Sequence, residues 1–378
     1  MASIRSEAIP PFIVMDVLEK AQELERAGAK VIHLEIGEPD FDTPRKIADA
    51  AIAAIRRGET HYTHSMGILP LREAIAAHYQ KRYGVSVSPE QVIVSMGSSH
   101  GLLLTLCSLL DPGDEVVLSN PCYACYPNFV RYIEGRPAFV PVHAEEGFAL
   151  EPEAVQKVLS PRTKAILINS PSNPTGNLLP ADVMRSISHL GPYIVSDEIY
   201  HGLVYGEREH SILEFTDRAF VLNGFSKLYA MTGWRLGYII APREFVRPMQ
   251  KSQQNLFICS SSVSQWAGLA ALTEEHPEIP RMVATYDERR KVMIKGLREL
   301  GLHVAVEPTG AFYVLADARS FSTDSYALAF DILGKAHVAV APGIDFGSNA
   351  EGFLRFSYAN SLENIAEGLA RLKQYLAP

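Results

Sequence analysis

Apolar and polar residues follow two periods along this chain, and together they predict helices that alternate with short buried strands. Residues 12–27 carry apolar side chains at helical spacing and stop before Gly28, which is typical of an amphipathic helix with a glycine end signal. A helix in this place could cover a pocket. The apolar runs 165–168 and 193–195 are followed by polar residues, as in buried strands that deliver functional side chains at their ends.

Strand and helix patterns alternate most regularly over residues 91–159. The predicted strands are 91–95, 115–119 and 138–142, and the helical patterns between and after them are 102–110, 126–134 and 152–159. This order predicts a mostly parallel sheet with crossover helices. Further upstream the pattern predicts a strand at 31–36, a helix capped by Thr43 with Pro44 at its first position, and a helix at 71–83.

The last third of the chain has a different pattern. Helices are predicted at 243–255, 262–272 and 279–301. Beyond them the predicted strands are 303–306, 311–316, 338–340 and 353–358, with helices at 325–333 and 361–375. This mixture predicts a small α+β unit, and 378 residues suit a large domain plus a smaller one.

Composition narrows the classes of function. Apolar residues make up 47% of the chain and charged residues 21%, as in ordinary globular enzymes. The formal net charge of −8 argues against a nucleic-acid partner, and no apolar run has the length of a membrane span. We therefore expect a cytoplasmic protein without a membrane partner. Cys122 and Cys125 lack a second Cys/His pair at zinc-finger distance, so we expect no metal site.

The strongest chemical signal is a lysine among small residues. Gly224 and Ser226 precede and flank Lys227, and Arg235 follows eight positions on. Small neighbours let a bulky ligand approach the amine. Lys227 is therefore predicted to react with a carbonyl group, and Arg235 to bind a phosphate. Taken alone, these residues also fit an ordinary loop lysine followed by an arginine at the start of a strand.

A turn of glycine and serine supplies the second signal. Gly97, Ser98 and Ser99 follow a predicted strand and lead into an apolar helix, where backbone N–H groups and the helix dipole favour an anion. Residues 97–101 also satisfy G-x-S-x-G, the pattern of serine hydrolases, with Ser99 as nucleophile. Against a hydrolase, no glycine-rich oxyanion loop precedes the turn, and the lysine described above would have no role.

Four segments in fixed order carry a family resemblance. They are S-P-S-N-P-T-G at 170–176, S-D-E-I-Y at 196–200, S-K at 226–227 and G-W-R-L-G-Y at 233–238. With them the chain resembles the class I aminotransferases, the relatives of aspartate aminotransferase among pyridoxal-phosphate enzymes. The resemblance implies fold type I, an α/β architecture with a mostly parallel seven-stranded sheet flanked by helices in a large domain at 37–275. Residues 1–36 and 276–378 would form the smaller α+β domain.

The resemblance also implies a role for each site residue. Lys227 would form a Schiff base with pyridoxal phosphate and then act as a base, for which burial and nearby cations should lower its pKa. Asp197 would keep the pyridine nitrogen protonated. Tyr200 and Asn173 would hydrogen-bond the 3-oxygen of the cofactor, and Tyr123 would lie flat on its ring.

Two further groups of residues follow from the resemblance. The phosphate would be bound by Gly97, Ser98, Ser99, Ser226, Arg235 and a tyrosine, Tyr62, that crosses from the other subunit. The substrate carboxylate would be bound by Gly37, Asn173 and Arg355. A tyrosine that crosses between subunits requires a homodimer with shared active sites.

The implied reaction moves an amino group from an L-amino acid to a 2-oxo acid, with 2-oxoglutarate as the expected acceptor. Gly224 departs from the family, which often has a serine there. Ser99 and His100 stand where some acid-preferring relatives have a cation, which favours a neutral, sulfur-containing or aromatic donor at least as much as aspartate. A carbon–sulfur β-lyase on the same residues is the alternative. A DNA-binding regulator of this fold would need an added basic domain.

Overall fold

Helices and strands alternate along residues 3–377, the part of the chain that the computed structural model describes. The helices are α1 (Ile4–Glu7), α2 (Ile13–Arg26), α3 (Arg45–Arg56), α4 (Leu69–Tyr83), α5 (Ser98–Leu109), α6 (Tyr126–Tyr132), α7 (Pro152–Val158), α8 (Ala181–Ser188), α9 (Arg243–Leu256), α10 (Ser262–Thr273), α11 (Glu278–Glu299), α12 (Ser325–Ala336) and α13 (Leu362–Leu376). The strands are β1 (Ile32–His33), β2 (Val92–Ser95), β3 (Glu115–Asn120), β4 (Arg136–Pro141), β5 (Thr163–Asn169), β6 (Tyr193–Asp197), β7 (Ala219–Gly224), β8 (Gly237–Ile240), β9 (Tyr313–Asp317), β10 (Val338–Ala339), β11 (Ala341–Pro342) and β12 (Phe353–Ser357).

Seven strands form the main sheet, in the order β2-β8-β7-β6-β5-β3-β4. The pairs from β4 through β7 are all parallel, whereas β8 runs antiparallel to both β2 and β7. The predicted α/β fold with a mostly parallel seven-stranded sheet is confirmed.

Alternate residues of the central strands enter two different apolar cores. Ile166 and Ile168 of β5 pack in the core that also holds residues of α3, α4 and α10. Ala165 and Leu167 pack in the core beneath α5 and α9. Because both faces of the sheet are covered by helices, these strands are continuous apolar runs in the sequence rather than alternating ones.

The C-terminal residues build smaller sheets. Strand β12 pairs antiparallel with β9 and β11, and β1 pairs parallel with β10, so the two ends of the chain share a sheet. Apolar residues of these strands pack with α11, α12 and α13 in a separate core. The domain boundaries at 36/37 and 275/276 stay a prediction, and Met1, Ala2 and Pro378 lie outside the described residues.

Three local predictions are wrong. Thr43 does not cap α3, whose cap position is Pro44, because its hydroxyl oxygen accepts instead from Nε1 of Trp234 at 3.0 Å while its hydroxyl group donates to the carbonyl of Ala230 at 2.6 Å. Helix α5 begins at Ser98 rather than at residue 102, since serine is well tolerated in a first helical turn. The strand predicted at 303–306 is reduced to a single bridge between His303 and Asp317. Within residues 3–377, none of the helices has both the length and the apolar character for crossing a membrane.

Candidate active site

The candidate site is a cavity of about 390 Å³ at the carboxyl edge of the main sheet. Strand β5 ends at Asn169 and β6 at Asp197, while β7 ends at Gly224, just before Lys227. Parallel strands bring their carboxyl ends to one edge, where ligands of α/β proteins bind. The predicted site residues that line this cavity are Gly37, Ser98, Ser99, Tyr123, Asn173, Asp197, Tyr200, Ser226, Lys227, Arg235 and Arg355.

The Lys227 amine lies in this cavity with few polar partners. Its Nζ donates to the carbonyl of Gly37 at 2.5 Å and lies 6.0 Å from the ring centre of Tyr200. Burial lowers the pKa of Lys227 to about 8. The charge of Glu38 opposes this change, and the charge of Arg355 adds to it. The direction agrees with the expectation from the sequence, and a substantial share of the amine is neutral near physiological pH.

Asp197 is a buried carboxylate whose hydrogen-bond donors are uncharged. It accepts from the hydroxyl of Tyr126 at 2.7 Å and from the backbone N–H of Ile199 at 3.1 Å. Burial raises the pKa of Asp197 to about 6, and these two hydrogen bonds act against that rise. A positively charged group of a ligand would stabilise this carboxylate.

Arg355 is held rigidly on β12 and is only 2% exposed. Its Nη1 donates to Oδ1 of Asn173 at 2.9 Å, its Nη2 donates to the carbonyl of Glu35, and its guanidinium lies 4.3 Å from the ring centre of Tyr313. Its Nε is buried and has no partner within residues 3–377. A buried guanidinium with a free donor suits a carboxylate ligand.

The start of α5 forms a cradle for an anion. The first N–H groups of a helix have no intrahelical partner, and the cap position of this helix is Gly97, which has no side chain to bond them. Gly97 precedes it with a φ of 83°, and a Cβ at this position would lie 2.7 Å from Nη2 of Arg235. The absence of a side chain at Gly97 therefore lets the guanidinium approach the turn, as a phosphate site requires.

Gly224 and Tyr62 lie outside the cavity lining. A Cβ at Gly224 would lie 3.0 Å from the carbonyl oxygen of Leu236, so a serine like that of the family would crowd this backbone. Tyr62 is 81% exposed on the single chain. Its predicted contact with the phosphate of the other subunit stays a prediction.

Sequence reasoning missed several residues that line the cavity. Tyr126 stands three positions after Tyr123 and bonds Asp197, and its place at the first turn of α6 is the signal that could have identified it. The Tyr313 hydroxyl bonds that of Tyr200 at 2.9 Å. No local pattern marks Tyr313, because its position depends on the pairing of β9 with β12. The other missed residues are Ile36, Glu38, Asn169, Ile199 and Thr232, whereas Phe12, Val14, Met15 and Leu18 belong to the segment that was expected to cover a pocket.

The environment of Ser99 does not suit a serine hydrolase. The neighbouring His100 accepts from the backbone N–H of Met96 at 3.0 Å through Nδ1, and its ring packs 4.1 Å from that of Phe257. Burial lowers the pKa of His100 to about 4. Nδ1 of His100 is therefore occupied by the backbone, and Nε2 is buried without a hydrogen-bond partner within residues 3–377, so this histidine makes no hydrogen bond to Ser99.

The cysteines lack the setting of reactive or metal-binding groups. All four are free, and burial raises the pKa of Cys122 to about 12, which suppresses its thiolate. The described residues contain no cluster of three or more histidine, cysteine or acidic side chains suited to a metal ion.

Known proteins resemble this chain along its whole length. Residues 29–372 match the family described as aminotransferase class I and II. The (5-formylfuran-3-yl)methyl phosphate transaminase of Methanocaldococcus jannaschii is 45% identical over all of both chains. The aspartate/prephenate aminotransferase of Thermus thermophilus is 40% identical, covering 99% of this chain and 98% of that one. The solved structure of Thermus thermophilus aspartate aminotransferase with maleate superposes with a TM-score of 0.95, at 39% identity over 99% of each chain.

Proposed function

The chain belongs to the class I and II aminotransferases, and from this premise and the cavity we propose that it passes amino groups from an L-amino acid to 2-oxoglutarate. Transamination and the use of pyridoxal phosphate follow from the family. The proposed roles of single residues rest on one observation, which is that Lys227, Asp197 and Arg355 line the same cavity.

The side chains in the cavity fit this cofactor. Asp197 lacks a charged hydrogen-bond donor, and the ring nitrogen of pyridoxal phosphate can provide one. The first turn of α5 with Arg235 can take the phosphate, and a side chain at Gly97 would fill that cradle. Lys227 supplies an amine of lowered pKa.

The chemistry is divided between the cofactor and the chain. When bound, pyridoxal phosphate supplies an aldehyde that condenses with amines and a ring that takes up an electron pair from the substrate carbon. Asp197 holds the proton on the ring nitrogen. Lys227 takes a proton from the substrate α-carbon and returns one, which a pKa near 8 permits in both directions at neutral pH.

Arg355 binds the substrate α-carboxylate in this proposal. Asn173 fixes the guanidinium through Nη1, and the ring of Tyr313 supports it, so the free Nε meets the ligand in a set orientation. A hydrogen bond to a charged group contributes about 1.5–3 kcal/mol. Gly37 lies against the same tyrosine, where a Cβ would come within 2.0 Å of the hydroxyl, so a larger residue would displace this wall of the cavity.

We also propose a homodimer with shared sites. Tyr62 is exposed on the single chain, and Arg235 beside the anion cradle is exposed as well. A second copy would cover both, with Tyr62 reaching the phosphate of the opposite site. The cytoplasmic location stays a prediction from the sequence.

The most direct test is a panel of amino donors. Purified enzyme loaded with pyridoxal phosphate should form glutamate from 2-oxoglutarate with at least one of aspartate, alanine, methionine, phenylalanine and tyrosine. Release of pyruvate and ammonia from a cysteine thioether, without glutamate from any donor, would overturn the proposal in favour of a β-lyase.

Two variants test the residue roles. In Lys227→Ala the visible absorbance of covalently held cofactor should disappear, because no other amine lines the cavity within the described residues. Ser99→Ala is the matched control and should keep that absorbance while its affinity for the cofactor falls roughly tenfold, about 1.5 kcal/mol for one hydrogen bond to a charged group. Retained absorbance in Lys227→Ala would sink the assignment of this lysine.

A further inference from the structure

One wall of the cavity is apolar and comes from the N-terminal segment. Phe12, Met15 and Leu18 line it, and the Phe12 ring meets the ring of Tyr123 edge-on with centres 6.0 Å apart. These side chains belong to the first turns of α2 and to the residue before it. The position of that end of α2 therefore determines the shape of this wall.

The first turn of α2 is held by a carboxylate from the far end of the chain. The cap position, Phe12, offers no side-chain hydrogen bond. Instead, the N–H of Ile13 donates to Oδ1 of Asp345 and the N–H of Val14 donates to Oδ2, both at 3.1 Å. One carboxylate thus satisfies two of the N–H groups that a helix leaves open, at the end where negative charge is favourable.

Apolar contacts hold the rest of this helix. Val17 and Ala21 pack in a small core with residues 31, 333 and 339. Val14 packs with Phe346 and Ala341. Non-directional contacts of this kind allow the helix to tilt, whereas two hydrogen bonds to one carboxylate fix the direction of its first turn.

Asp345 is joined to the residues proposed to bind substrate and cofactor. The next residue, Phe346, places its ring 4.7 Å from the guanidinium of Arg355, and its carbonyl accepts from the N–H of Cys122 at 2.9 Å. Cys122 precedes Tyr123 in the cavity wall. Asp345 itself does not line the cavity, and its two hydrogen bonds to the first turn of α2 connect it to the apolar wall.

We propose that Asp345 is a positioning residue that anchors the apolar wall and thereby sets the affinity for ligands with bulky apolar side chains. The inference rests on the proposed function, since it places an amino acid in this cavity. Ligands with short side chains do not extend to the wall and depend on Asp345 far less.

Hydrogen exchange tests the anchor without any substrate. In the enzyme loaded with pyridoxal phosphate, the amides of residues 12–18 should exchange roughly tenfold faster in Asp345→Ala and less in Asp345→Asn, which keeps one acceptor oxygen. The matched control is Glu19→Gln, which removes an exposed carboxylate from the same helix beyond its first turn and should leave the exchange unchanged. Equal exchange in Asp345→Ala and the wild type would overturn the anchor.

Binding of two amine-free carboxylates tests the effect on ligands. Asp345→Ala should weaken 3-phenylpropanoate roughly tenfold while propanoate changes less than about twofold, with Asp345→Asn between wild type and Ala. Equal weakening of both ligands would overturn the inference while leaving the proposed function intact. If no donor forms glutamate but this difference in binding is present, the proposed function fails and the anchor stands.

Discussion

At the scale of single residues, burial acts on Lys227 and Asp197 in opposite directions. It lowers the pKa of the amine to about 8 and raises the pKa of the carboxyl to about 6, because a site shielded from water disfavours either charge. Both groups are shifted toward their neutral forms. A ligand that brings a cationic ring nitrogen and an anionic phosphate compensates for the loss of water at this site.

The lowered pKa of Lys227 predicts how the empty protein captures its cofactor. The neutral amine attacks the aldehyde, so the rate constant for covalent capture should rise with pH and level off above about 8, well below the ordinary lysine value of 10.5. This rate constant can be measured by stopped-flow absorbance after cofactor-free protein is mixed with pyridoxal phosphate at pH values from 6 to 10. An inflection near 10.5, as for a free lysine, would contradict the burial of this amine.

At the scale of elements, the short strand β1 supports the proposed substrate site. Strand β1 spans only Ile32–His33, and the carbonyl of Glu35 just beyond it accepts from Arg355. The Glu35 side chain is fully buried and bonds Nδ1 of His33 at 2.8 Å, while Nε2 of the same ring lies 3.2 Å from Glu25. The hydrogen bond to Glu35 is the main cause that raises the pKa of His33 to about 9, in spite of burial.

The hydrogen bond between His33 and Glu35 predicts that His33→Gln loses stability in a pH-dependent way. A histidine whose pKa rises from 6.5 to about 9 on folding stabilises the protein fully below pH 6.5, and this contribution disappears as the pH rises through 9. The ring is partly exposed, so the loss should be about 1 kcal/mol at pH 6 and close to zero at pH 10. Urea unfolding at the two pH values measures it.

The control for this comparison is His61→Gln at an exposed position. It should give the same small change in the free energy of unfolding at both pH values. A loss in His33→Gln that is as large at pH 10 as at pH 6 would show that packing, not charge, accounts for the effect.

At the scale of the whole molecule, one chain does not complete the proposed site. Every predicted cofactor contact except Gly97 and Tyr62 lines the cavity, and Gly97 lies directly against Arg235. Tyr62 is exposed on the same chain that carries the cavity. The proposed homodimer assigns each tyrosine to the site of the other subunit.

Mixed dimers test this assignment. Tyr62→Ala should weaken cofactor binding roughly tenfold, as expected for the loss of a hydrogen bond to a charged group. In a mixed dimer of one Tyr62→Ala chain and one Lys227→Ala chain, the site of the Tyr62→Ala chain has its own lysine and receives an intact tyrosine from the other subunit. The site of the Lys227→Ala chain has neither. Half of the sites in a mixed dimer should therefore regain tight binding, as measured by titration of the covalent absorbance.

Two results would contradict the shared site. If Tyr62 acted within its own chain, mixing the variants would restore no tight site. If the protein were a monomer by analytical ultracentrifugation at micromolar concentration, the assignment of Tyr62 would fail as well.

Much of the fold could be predicted because helix-covered parallel strands leave a strong local signal. The apolar runs 165–168 and 193–195 lie within β5 and β6, and the helix over residues 12–27 was predicted to within one residue at each end. Thr43 shows the limit of such reasoning. Its sequence position suits a helix cap, but the distant Nε1 of Trp234 donates to the hydroxyl oxygen that a cap would use.

The sequence alone determined the family and the residue types of the proposed chemistry, because a lysine among small residues, an acid at a strand end and an arginine are identified by type and order. Only the tertiary structure decided which neighbours act on them. The hydroxyl of Tyr313 bonds that of Tyr200, and the carboxylate of Asp345 bonds the N–H of Ile13. In both pairs the two residues lie more than one hundred positions apart, and no local pattern predicts such a contact. Local patterns encode periodicity and residue type, whereas these contacts depend on how separate elements pack.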